Sequence, residues 1–67
     1  MKKVWLHIDF YKNSRTQTYY EHGHLYFSTK EKLEEKTKDW RDTGPYVDVE
    51  IEVPDEFDDL DYVPDSY

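Results

Sequence analysis

Two stretches of strict alternation dominate a chain of 67 residues that contains no cysteine. Val4, Leu6, Ile8 and Phe10 alternate with Trp5, His7, Asp9 and Tyr11. Val47, Val49, Ile51 and Val53 alternate with Asp48, Glu50 and Glu52. Period two is the pattern of a strand with one apolar face, so the chain must build a sheet. Its core is small, because a chain of this length buries only about 60% of its unfolded surface. Below about 70–80 residues, disulfides, a metal or a partner subunit commonly help. Disulfides, thiol catalysis and cysteine-based zinc sites are excluded by composition. One domain is the ceiling.

Between the two alternating runs lie a turn, a second strand and a helix. Lys12-Asn13-Ser14-Arg15 reads as a hairpin turn. Residues 16–27 are dense in Thr, Tyr and Phe and read as a strand, interrupted by Gly23, which marks a bulge. Ser28-Thr29-Lys30-Glu31 matches a capping box with Ser28 as the cap. The helix it opens, over about residues 29–41, has a thin apolar face of Leu33 and Trp40 with Thr37 between, and Thr43-Gly44-Pro45 stops it. Pro54 ends the last strand. The expected fold is α+β: a three-stranded antiparallel sheet with one helix, in the order β-β-α-β, over residues 1–54. Strand 3 is expected beside strand 1, and residues 55–67 form an acidic–aromatic tail. So sparse a helix cannot cover three apolar strands. Either the tail folds back or a second copy completes the core, and a homodimer is expected.

Charge is unevenly placed. Nine basic and seven acidic groups precede Tyr46, whereas from Tyr46 onward there are nine acidic groups and no basic one, within a net charge of −7. An acidic chain repels nucleic acid, whose phosphates call for basic neutralisation. No direct nucleic-acid binding is expected. No long apolar run marks a leader or a membrane span, so the expected address is cytoplasmic.

Candidate chemistry is thin. His22 and His24, with His7, could suggest a metal, but zinc wants three or four convergent ligands, and none are evident. The carboxylates of the tail lack the glycine and bidentate glutamate spacing of a calcium loop. Acid–base catalysis needs a pocket that shifts carboxylate pKa values, for which so small a domain has little room. Neither an enzyme, a metal nor a cofactor is expected. The row Asp48, Glu50 and Glu52 is sharper. Same-face strand residues lie roughly 6.5–7 Å apart, and fixed anions at that spacing imitate a nucleic-acid backbone. The same row also suits the solvent face of an amphipathic strand.

The run Gln17-Thr18-Tyr19-Tyr20-Glu21, with Gly23 just after it, a Ser-opened helix and a closing strand, resembles the small uracil-DNA glycosylase inhibitors of Bacillus phages. The resemblance covers about residues 3–53. It implies a three-stranded antiparallel sheet with one helix and a homodimer that blocks the enzyme's DNA-binding cleft. An apolar pocket at the family's dimer interface traps a leucine of the enzyme. Glu21 matches the family's functional glutamate, in an aromatic-aromatic-Glu run that includes Tyr20. The family's helix presents aromatic residues, whereas residues 30–38 here offer Leu33 alone, with Trp40 beyond them. The acidic tail is additional to the family layout.

The expected function is therefore a DNA-mimicking inhibitor of a DNA-binding host enzyme, with uracil-DNA glycosylase favoured. Partner contacts are expected at Glu21, Tyr20, Asp48, Glu50 and Glu52, with Leu33 and Trp40 as apolar anchor. An anti-CRISPR or anti-restriction target is the alternative. A small assembly protein with an acidic docking tail is another.

Overall fold

A computed structural model describes residues 1–40 and 44–65. β1 (Lys2–Asn13) and β2 (Thr18–Phe27) form an antiparallel hairpin, α1 (Lys30–Thr37) follows, and β3 (Tyr46–Val53) returns antiparallel to β1. The sheet order is β2-β1-β3, so strand 3 does pair with strand 1. The hairpin loop is held locally. Asn13 Oδ1 accepts from the N–H of Arg15 at 2.9 Å, and Gln17 closes the turn in the left-handed region, at φ 59°. The register shifts between Asp9 and Phe10, opposite Gly23 and Glu21, so His22 is the extra residue of a bulge beside Gly23. Beyond Asp9, β1 and β2 continue without β3 as a two-stranded arm.

Cross-strand register sorts the residues onto two faces. Trp5, His7 and Asp9 share the front face with Phe27, Leu25 and Gly23 of β2 and with Glu50, Asp48 and Tyr46 of β3. Val4, Leu6 and Ile8 share the back face with Ile51, Val49 and Val47. Alternation marks the back face as the apolar one, yet α1 packs on the front. There Leu33 joins Leu25 and Phe27 in the core, with Trp5, Trp40 and Val63 around them. Trp5 and Phe27 stand opposite each other, and large aromatic side chains offer more area than Val and Ile can.

Helix α1 is shorter than its sequence suggests, ending at Thr37 with Lys38 as C-cap; Arg41 and Thr43 of the expected end lie outside the described residues. Its cap is Thr29, whose side chain accepts from the N–H of Lys32, and Ser28 is used differently. Thr37 is fully buried and satisfies its hydroxyl by donating to the Leu33 carbonyl at 2.8 Å. Eight residues make a marginal helix in water, so tertiary contact through Leu33 and Thr37 sustains it.

The tail folds back. Phe57 meets the Tyr26 ring edge-on, with centroids 4.9 Å apart, and Lys2 Nζ donates to the Phe57 carbonyl. The N–H of Asp61 then donates to the Tyr26 carbonyl at 2.8 Å, on the edge of β2 away from β1. Val63 arrives at the front-face core. The segment thus runs from the back of the sheet, round the β2 edge, to the helix side. Asp61 is its clamp. Its carboxylate accepts from the N–H and Oγ–H of Ser28 at 2.9 and 2.7 Å, and Lys32 Nζ lies 3.4 Å away. Burial raises the Asp61 pKa, but the hydrogen bonds from Ser28 and the charge of Lys32 outweigh it and hold the carboxyl below its ordinary value. Residues 66 and 67 of the expected tail lie outside the described residues.

The tail covers one end of the back face and leaves the other open. Val4 and Val53 are buried, Leu6, Ile8 and Ile51 are half-buried, and Val47 and Val49 remain 46% and 39% exposed.

Candidate protein-binding surface

Strand β3 positions the acidic row. Its odd-numbered residues face the back, so Asp48, Glu50 and Glu52 project from the front, and α1 lies over β1 and β2 rather than over β3. Glu50 and Glu52 are exposed, and Lys3, opposite Glu52 in register, lies 3.9 Å from Glu50. An exposed pair at that distance contributes little, so both carboxylates stay available to a partner. Asp48 differs. It is half-buried and its Oδ1 lies 2.6 Å from Nδ1 of His7, a ring only 1% exposed. Nε2 of the same ring lies 2.8 Å from Asp9 Oδ1, so each ring nitrogen has a carboxylate within hydrogen-bond distance. The ring also stacks on Tyr46, with centroids 5.6 Å apart, and lies tilted to Trp40 at 6.3 Å. Asp48 therefore helps to satisfy a buried polar side chain in addition to lining the row.

The remaining expected contact residues divide between the faces. Leu33 is 0% exposed, so it is a core residue and offers no anchor to a partner. Trp40 is half-buried beside the core and lines a cleft of about 360 Å³ with Asp9, Phe10, Tyr11, His22, Gly44 and Pro45. Tyr20 is exposed on the arm and stacks on Tyr11, its register partner, at 5.7 Å. Glu21 pairs in register with Phe10 and therefore faces the back, where its Oε1 lies 3.6 Å from His24 Nδ1. The bulge at His22 sets that outcome. The front face thus carries Tyr20 and Trp40 as well as Asp48, Glu50 and Glu52, with Tyr20 and Glu52 toward opposite ends of β1, and leaves Glu21 on the other side.

His22 and His24 are likewise divided, since His22 meets the edge of Tyr11 while His24 packs against Tyr26. Sequence reasoning passed over Tyr11 on this surface and did not foresee the burial of His7 beneath it. The alternation placed His7 among the polar positions, and only its cross-strand neighbours reveal its burial.

Among known proteins, no family model, curated protein or solved structure matches the chain. Among the described residues, no helix is long and apolar enough to cross a membrane.

Proposed function

We propose that the chain is a DNA-mimicking inhibitor that occupies the DNA-binding cleft of a host enzyme, with uracil-DNA glycosylase the favoured target. The observation that supports this best is the exposed acidic row of Glu50 and Glu52 on an edge strand, in a chain whose last cation is Arg41. Fixed carboxylates on a rigid strand attract a phosphate-collecting groove and speed encounter by steering. The aromatic cleft around Trp40 and Tyr11 supplies a place for an aliphatic side chain of the target, where a buried anchor adds affinity. The folded-back tail argues against a loose docking arm as the principal working part.

Replacing Glu50 and Glu52 with lysine tests this reading in a glycosylase assay. Inhibition by the parent protein near one-to-one stoichiometry is expected. The double variant should inhibit at least about tenfold less, mainly through slower association, with an unchanged thermal melt because both side chains are exposed. Equal inhibition by the variant would overturn the role of the row. Silence of the parent protein against the glycosylase, with inhibition of a nuclease, would move the proposal to another DNA-binding target.

The same proposal includes a homodimer built on the open half of the back face. Val47 and Val49, beside Leu6 and Ile8, form an apolar surface that water solvates poorly. Light scattering should report about twice the chain mass of 8.3 kDa. Val47→Lys should return the protein to one chain without loss of fold. A parent protein that stays at one chain mass at micromolar concentration rules this dimer out.

A further inference from the structure

The two edges of the sheet are treated differently. The outer edge of β2 is interrupted by the bulge at His22 and is met by the Asp61 N–H at Tyr26. Both are devices that keep a further strand away. β3 has neither. It runs eight residues without proline, glycine or bulge, and among the described residues it pairs only with β1. By the register with β1, the backbone N–H and C=O groups of Glu50 and Glu52 point outward, as a template for one more strand.

Side chains decide which strand fits. A second copy of β3 does not. Antiparallel pairing of two identical strands has its two-fold axis perpendicular to the sheet, which keeps front beside front. Any register that pairs the middle of the strand then sets carboxylate against carboxylate, such as Glu50 on Glu50 and Asp48 on Glu52. Like charges directly opposite destabilise the pair. A segment with Lys or Arg at alternate positions and Val, Ile or Leu between them reverses the sign of that interaction. Its cations lie beside Glu50 and Glu52, and its apolar residues extend the face of Val47, Val49 and Ile51.

We propose that the open edge of β3 is a strand-addition site for an extended, alternately basic and apolar segment of a partner protein. The inference rests on the same acidic row as the proposed inhibition, but it adds backbone hydrogen bonding that charge mimicry does not need.

The test uses the whole chain, labelled for NMR, and the capped peptide Lys-Val-Lys-Val-Lys-Val-Lys. Further peptides carry N-methyl groups on every valine or on every lysine, and one has the same composition with all lysines first. The parent peptide is expected to shift the amide signals of β3 and slow their hydrogen exchange. One of the two N-methylated peptides should bind at least about tenfold more weakly, since it cannot donate to the strand. The reordered peptide should also bind more weakly. Equal binding of the parent and both N-methylated peptides would reduce the contact to charge attraction and overturn the proposal, as would absence of binding by the parent. Glycosylase inhibition measured on the same protein separates the two readings, because it can persist when strand addition fails.

Discussion

Phe27→Ala is expected to leave the chain largely unfolded at 25 °C. Phe27 is fully buried at the centre of the front-face core, between Leu25, Leu33 and Trp5. Truncating a buried phenylalanine costs about 3–5 kcal/mol. At about 0.05–0.15 kcal/mol per residue, a domain of this length has roughly 3–10 kcal/mol in total. Leu33→Ala belongs with it, at about 2–5 kcal/mol, because Leu33 is equally buried and anchors the only described helix. Urea titration followed by circular dichroism measures both. Leu33→Met preserves volume, costs less than about 1.5 kcal/mol, and keeps the fold available for binding assays. Inhibition should survive that change. Its loss in a folded Leu33→Met protein would return Leu33 to the binding surface.

Asp61→Ala is expected to lower stability by about 2–3 kcal/mol, or the midpoint of melting by about 10–20 °C. The substitution removes the acceptor of two Ser28 hydrogen bonds and the partner of Lys32. It also places alanine at a left-handed position, since Asp61 has φ 61°. Asp61→Gly should therefore be less damaging than Asp61→Ala by about 1 kcal/mol. Acid supplies a second readout. The Asp61 carboxyl has a folded pKa below its unfolded one, so its contribution is complete above the unfolded value and fades as pH falls through the folded value. The stability gap between the parent protein and Asp61→Asn should thus be full at neutral pH and shrink below about pH 4. A gap that stays constant into acid would show that the carboxylate charge is not what holds the clamp.

Much of the backbone could be read directly from residue order. Alternation marked β1 and β3, which were expected side by side, and Gly23 signalled the bulge. The helix start was displaced by one residue, because Ser28 and Thr29 are both competent caps and Ser28 is taken by Asp61, 33 residues away. The face chosen by the helix was not legible. Period two shows which side of a strand is apolar, but Trp5 and Phe27 outweighed Val and Ile only once β2 had brought them together. His7 was hidden for a related reason, since Asp48, which meets its ring, is 41 positions distant. For the candidate surface, Glu50 and Glu52 stand exposed as the alternation implies. Glu21 does not join them, because an extra residue in a strand reverses side-chain parity on one flank of the bulge.

The turn of the tail round the β2 edge makes the sheet one-ended. Were both outer strands bare, copies could join β2 to β3, head to tail, and such heterologous contacts propagate into filaments. With Asp61 seated at Tyr26 and His22 bulged beside Gly23, that route lacks its second half. Residues 55–65 thus supply one of the two devices that close the β2 edge, and detaching them would leave the bulge at His22 as its remaining guard. Asp61→Ala should accordingly turn a well-behaved monodisperse protein into one that polymerises with increasing concentration.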